Sequence, residues 1–441
     1  MSQQIILMSL SAISSEKCSQ SEQALRPGVA EIAALGSRLR ILSVTQSYFP
    51  FQERGGPAFK VRSISRMLAE LGHQVTVLTA DLGFTDPTIA SAEAAACRQG
   101  WQSNLDGVEV IYLNTRGRYR NLTVNPGALS FCRNQLREFD LVHIYGLYDM
   151  LGPAVAKYCR QFHIPYFVEP LGMTRLIDRG FCLKKLWRSL VTGYLEHADK
   201  IVVTSELEKS ELLAEGFQEN HLILRYNGID QNEFCCLPVG GAFRAKFGIR
   251  DDEPLVVFLS RLIPRKGADL LVEALARTGC EKIRLVIAGP EGEAGYLAFL
   301  RAKARTLAVD HRVLFPGPLY GTEKKSALVD ADIFALPSRY ENFGNTVAEA
   351  IACGTPVIVS DQCGIAPLVD QRAGLVTSYN TTALACTLQE VFANTALYHR
   401  LEAGCAEVAQ AISWDRIIEQ IQASYQEATR RLVTATHSDT V

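Results

Sequence analysis

The sequence predicts an α/β protein of two doubly wound, parallel-sheet domains facing each other across a cleft. Three observations carry that expectation. The chain has 441 residues, more than one ordinary hydrophobic core organises. From Leu39 onward, short apolar runs alternate with amphipathic stretches, the pattern of parallel strands joined by helices. The pattern then restarts after Arg250-Asp251-Asp252-Glu253-Pro254, a polar break that ends in proline.

Taken in order, Leu39–Thr45 reads as the first strand. Gly55-Gly56-Pro57 follows, and Ala58, Val61, Ile64, Leu68 and Leu71 are spaced by three and four, as one helix face requires. Gly72 ends that helix, and Val75–Leu78 is the next strand. Further strands are predicted at Leu141–Tyr145, Tyr166–Val168, Ile201–Val203 and Leu222–Leu224. The second half repeats the scheme with Leu255–Leu259, Ile283–Ala288, Val313–Leu314, Ile333–Leu336 and Val357–Val359. These elements divide the chain into an N-terminal extension (1–37), a first domain (38–230), a second domain (231–413), a final helix (414–431) and a tail (432–441). In open parallel sheets, ligands bind beyond the carboxyl ends of the strands.

Bulk properties exclude several classes. The formal net charge of −2 lacks the basic excess of a general nucleic-acid binder. The 12 cysteines form no Cys-x-x-Cys pair, and adjacent Cys235-Cys236 would make a strained bridge, so a reduced, cytoplasmic chain without a zinc site is expected. No apolar run reaches the roughly 18 residues of a spanning helix. Ile5-Ile6-Leu7-Met8 has no basic leader and is too short for a signal peptide.

Two segments carry chemistry. Arg261 and Lys266, in Ser260-Arg261-Leu262-Ile263-Pro264-Arg265-Lys266-Gly267, follow the strand 255–259 and precede a helix whose free amides favour an anion. Arg forks onto phosphate oxygens and Lys supplies a compact charge; a plain solvated basic loop is the alternative. Glu341 and Glu349, in Glu341-Asn342-Phe343-Gly344-Asn345-Thr346-Val347-Ala348-Glu349, offer carboxylates and backbone amides suited to sugar hydroxyls. Gly344 permits close backbone approach. The bland reading is a helix cap plus a surface acid, but Ala348, Ala350 and Ala352 before Cys353-Gly354-Thr355-Pro356 imply tight packing. Together the segments describe a pocket for a nucleotide-sugar.

Ser260–Gly267, the Glu-x7-Glu segment and the Glu349–Ile358 run resemble the family-4 retaining glycosyltransferases of the GT-B fold. The resemblance extends back through Asn227-Gly228-Ile229-Asp230, the Ala198–Ser205 strand and the Gly55-Gly56 loop, and so covers about Arg38 to Arg431. It implies that Arg261 and Lys266 hold the donor diphosphate and that Glu349 binds ribose. Glu341 and the Phe343-Gly344 backbone would bind the donor sugar. Gly56, with Gly55, would approach the donor phosphate from the first domain. The final helix, from Trp414, would cross back onto that domain.

The expected reaction is transfer of a hexose with retention from a UDP- or GDP-sugar to a glycan or lipid-linked acceptor, as in polysaccharide biosynthesis. No Asp or Glu is placed as a covalent nucleophile, so front-face substitution is expected. No metal or other cofactor is expected either. Asp330-Ala331-Asp332 resembles the manganese motif of another glycosyltransferase fold, but these residues flank a helix end and a strand start. His143-Ile144-Tyr145 departs from the family's frequent His-x-His; residues 143 and 145 share a strand face, and Tyr is a poor base near neutral pH. His143, Tyr145 and Arg175 are the acceptor-side candidates, although a core role for His143 weighs more. Glu169-Pro170-Leu171-Gly172-Met173 resembles the family's acceptor-side loop. Arg175 to Trp187, basic and aromatic, offers peripheral contact with an anionic membrane surface, although packing on its own domain weighs more. The rival functions are a nucleotide-sugar epimerase of similar shape and an inactive nucleotide-binding homologue.

Overall fold

The computed structural model describes residues 38–50, 56–83, 94–119, 122–147, 149–174 and 193–438. In the first half the strands are β1 (Arg40–Thr45), β2 (Gln74–Ala80), β3 (Ala95–Cys97), β4 (Gly100–Leu105), β5 (Val108–Leu113), β6 (Gly117–Tyr119), β7 (Leu122–Val124), β8 (Leu141–Tyr145), β9 (Tyr166–Glu169), β10 (Lys200–Val203) and β11 (Leu222–Leu224). All but the small β6–β7 hairpin join one sheet, in the order β11-β10-β9-β8-β1-β2-β5-β4-β3. The central strands are buried along nearly their whole length, as parallel strands covered on both faces must be.

The first domain's parallel sheet carries an antiparallel edge that the sequence reading did not include. β3, β4 and β5 pair antiparallel and form an edge. β4 shows the alternating burial of a strand with one wet face, so its apolar residues never accumulate into a run. Asp106 (φ 55°) and Gly107 (φ 77°) make its turn to β5, and an Asp-Gly pair is a strong hairpin signal.

The second sheet contains β12 (Leu255–Leu259), β13 (Arg284–Ala288), β14 (Val313–Gly317), β15 (Ile333–Leu336), β16 (Val357–Ser360) and β17 (Gly374–Thr377). Its order is β14-β13-β12-β15-β16-β17, and its pairings are parallel. Strand order reverses between β1 and β8 in the first sheet and between β12 and β15 in the second. Each reversal splays two loops apart and leaves a crevice at the carboxyl ends.

The chain crosses between the halves at two adjacent places. Ile229 N donates to Ile412 O at 2.9 Å, and Trp414 N donates to Ile229 O at 3.1 Å. Gly228 lies so close to the Trp414 indole that a Cβ would collide with the ring. Beyond this crossing, the helix Trp414–Ser438 lies on the first domain. Ile417, Ile418, Ile421 and Tyr425 join Val61, Leu68, Phe167 and Val202 in one core. The helix continues past the expected end at Arg431, so residues 432–438 are helical rather than a tail.

Candidate functional site

The two sequence segments meet at the second domain's crevice because β12 and β15 are sheet neighbours. The loop after β12 closes with a short 3-10 turn, Pro264–Lys266, then Gly267, then the helix Ala268–Arg277. Gly267 has φ 75°, and a Cβ there would overlap the Pro337 carbonyl oxygen of the loop after β15. Glycine is therefore what lets the loops touch. Arg339 N donates to Arg265 O at 2.8 Å and ties them together.

The other side of the second loop is pinned by Glu341 N donating to Gln362 O (3.0 Å), Gly364 N to Glu341 O (2.8 Å) and Ile365 N to Phe343 O (2.9 Å). This scaffold brings the Lys266 ammonium onto the Glu341 carboxylate as an ion pair. Lys266 is 8% exposed. The Arg261 side chain is exposed on the same loop. The Phe343 ring is buried in the core beside Tyr226, and its carbonyl accepts Ile365 N at 2.9 Å. Gly344 (φ 106°) caps the helix Asn345–Ala352, whose first amides point at the crevice end with the positive pole of the helix.

Glu349 stands one turn into that helix. One carboxylate oxygen takes Lys324 Nζ at 2.9 Å, while Oε2 is buried without a protein partner. Lys324 was invisible to sequence reading, since nothing around it forms a pattern. Asp330 and Asp332 are structural. Asp330 accepts the amides of Gly241, Phe243 and Arg244 at 2.6–2.9 Å. Asp332 accepts Leu255 N and Arg244 Nη2 at 2.6 and 2.8 Å. Among the described residues, no group of three or more His, Cys, Asp or Glu is placed to hold a metal ion.

On the first domain, Gly56 opens the helix Gly56–Glu70. Gly55, Arg175 and the remainder of the Arg175–Trp187 stretch lie outside the described residues, as does the N-terminal extension. His143 and Tyr145 lie in the interior, as the core reading of His143 expects. Both are at most 2% exposed, stacked at 4.1 Å between ring centroids, and neither is open to an acceptor. Tyr425, from the C-terminal helix, bonds His143 Nδ1 and helps bury it. The departure from His-x-His thus falls on a packed layer.

Beside this layer lies a charge cluster that sequence reading missed. Glu169 accepts Lys60 on one oxygen and Arg225 on the other, and His143 Nε2 sits 3.8 Å away. All are buried. Burial alone would raise the Glu169 pKa, but Arg225 and Lys60 together pull it below its ordinary value. Burial lowers Lys60 to about 8 against the opposing pull of Glu169. Burial also lowers His143 to about 3, with Glu169 opposing. His143 is therefore neutral at physiological pH.

This has a measurable consequence. Above pH 6.5 both folded and unfolded states hold a neutral His143. Between 6.5 and about 3 the unfolded chain takes up a proton that the folded protein refuses. Stability should then fall with falling pH, by up to about 1.4 kcal/mol per unit from this group. Urea midpoints at pH 7 and 4.5 should drop further for the natural protein than for His143→Gln. Equal drops would show that His143 does not carry the slope.

Comparison with known proteins fits this geometry. Residues 241–406 match the family model described as glycosyl transferases group 1, and residues 55–228 match the glycosyl transferase 4-like domain. The chain is 26% identical to a D-inositol 3-phosphate glycosyltransferase of Xylanimonas cellulosilytica, over 90% of this chain and 98% of that protein. Among solved structures, Anabaena HepE in complex with UDP superposes with a TM-score of 0.71 at 19% identity, covering 88% of this chain and all of that one (100%). The sucrose-phosphate synthase of Thermosynechococcus elongatus gives 0.68 at 22% identity, over 90% and 100%. Two parallel-sheet domains, an opposed pair of loop motifs and two family models that together span both domains lead to one assignment: the chain belongs to the family-4 glycosyltransferases of the GT-B fold.

Proposed function

We propose that the protein transfers a hexose, with retention, from a nucleoside-diphosphate sugar to an acceptor hydroxyl. The observation that carries this is the Lys266–Glu341 pair at the β12/β15 crevice, with Arg261 on the same loop. One partner is suited to a diphosphate and the other to sugar hydroxyls. Solved structures of Anabaena HepE hold UDP and UDP-glucose, which supports a nucleotide-sugar donor here. Arg261 and Lys266 would neutralise the departing diphosphate. Glu341 with the Phe343-Gly344 backbone would orient the sugar, and Glu349 would take the ribose.

In the proposed step the bond from the anomeric carbon to the diphosphate oxygen breaks. The acceptor oxygen bonds to that carbon on the same face, and its proton passes to the released diphosphate. Preorganised charge supplies the rate enhancement, and the step needs no metal. The described cysteines are free thiols, in keeping with a cytoplasmic enzyme. Among the described residues no helix is long and apolar enough to cross a membrane.

The test is a panel of UDP-, GDP- and ADP-hexoses in EDTA. Acceptors would include lipid-linked glycans and also phosphorylated inositol and sugars, the latter suggested by relatives' names. Nucleotide release from one donor with a glycoside of unchanged anomeric configuration supports the proposal. An epimerised sugar nucleotide, an inverted glycoside or activity only with added metal would each overturn a stated part of it.

A further inference from the structure

The Glu341–Gly344 segment does more than line the crevice: its second residue reaches into the other domain. Asn342 Nδ2 donates to Thr204 Oγ1 at 2.6 Å and lies 3.4 Å from Glu208 Oε2. Glu208 is wholly buried and already engaged within its own domain. Its Oε2 accepts Thr204 N at 2.9 Å and Thr204 Oγ1 at 3.1 Å. Its Oε1 accepts Gly172 N at 2.6 Å, in the Glu169–Met173 loop. One turn along the same helix, Glu211 accepts Tyr340 Oη at 3.3 Å and Thr174 Oγ1 at 3.1 Å.

Shape reinforces these bonds. Gly172 has φ 73°, and a Cβ there would sit 2.7 Å from Asn342 Cβ. Gly364, which receives the other edge of the Glu341 loop, leaves no room for a Cβ against Ser205 or the Asn342 carbonyl. Two glycines, one from each domain, thus let the halves interlock at Asn342.

We infer that Thr204, Glu208 and Asn342 form a cross-domain latch that sets the donor-sugar loop against the acceptor-side loop, with Asn342 and Glu208 as positioning residues for transfer. The asymmetry of the contact shows how it works. When the domains part, Glu208 keeps the Thr204 and Gly172 donors, so no buried charge is stranded. The groups released to water from the second domain are neutral, the Asn342 amide and the Tyr340 hydroxyl, while Glu211 keeps Thr174 Oγ1. The receptor half is preformed and the moving half is uncharged, which suits a contact that must break and remake in every catalytic cycle. The inference rests on the transferase proposal for its catalytic consequence but not for the latch itself.

Asn342→Ala and Asn342→Asp test it. The second places a carboxylate against Glu208, whose own surroundings are the Thr204 and Gly172 donors, Glu169 and Lys60. Two carboxylates at this distance repel until they share a proton. Small-angle scattering of the ligand-free protein should show a larger radius of gyration for Asn342→Ala than for the natural chain. Calorimetric affinity for UDP or GDP should change by less than about threefold, while kcat falls by roughly tenfold, about the worth of one neutral hydrogen bond. Asn342→Asp should share that loss at pH 8 and recover towards pH 5.5. Unchanged scattering, kcat within twofold of the natural chain, or a natural pH profile for Asn342→Asp would overturn the latch. If the natural protein turns over no donor, the transferase proposal fails while scattering still decides the latch.

Discussion

Lys266→Ala is expected to lower kcat for sugar transfer by about 10²–10³-fold, the loss typical of removing one preorganised charge or donor from developing negative charge. The effect should fall mainly on kcat, because the diphosphate gains charge as the glycosidic bond breaks. Geometry adds to the loss. Lys266 and Glu341 are each other's ion-pair partners, so deleting the lysine also frees Glu341 to turn away from the sugar. Lys266→Arg should not rescue fully: the ammonium reaches Glu341 from a nearly buried position, and a planar guanidinium has a different shape and reach. Steady-state rates of nucleotide release decide the matter. A loss under about tenfold, or one confined to KM, would remove Lys266 from the leaving-group role.

The largest expected change in stability is at Glu169. Glu169→Ala strands Lys60 and Arg225 in the interior without their shared counter-charge. Breaking a buried ion pair from one side costs about 3–5 kcal/mol. Arg225 already has Nε and Nη1 without protein partners, so it cannot find a replacement acceptor nearby. Lys60→Met in the Glu169→Ala background should restore part of the loss by removing one stranded charge. Urea unfolding of both variants measures this, and a cost below about 1 kcal/mol for Glu169→Ala would show that the cluster is not held by its charges.

The contrast between these two sites explains what the sequence makes legible. Lys266 and Glu341 each belong to a short local segment with its own residue pattern, and sheet order then brings the segments together. Strands such as Leu141–Tyr145 and Leu255–Leu259 are readable because burial on both faces turns them into continuous apolar runs. β4 and β17 have no such run. The Lys60–Glu169–Arg225 cluster has no local signature, since its members are 109 and 56 residues apart. Lone charged residues inside apolar stretches look like strand ends until a partner is seen. Asn342 was in plain view inside the best motif, yet its partner Thr204 lies 138 residues upstream.

The return of the C-terminal helix to the first domain sets the order in which the newly made chain can mature. Ile417, Ile418, Ile421 and Tyr425 are structural parts of the first domain's core, yet they are made after every strand of both sheets. His143 waits 282 residues for Tyr425, on the order of 15–55 s at about 5–20 residues per second. During that interval the first half exposes an apolar helix-sized groove beside incompletely sealed charges, while the second half is able to complete its own sheet. The domain made first is thus the one completed last, and a nascent chain stalled before Trp414 should be a better client for chaperones than one stalled after Tyr425.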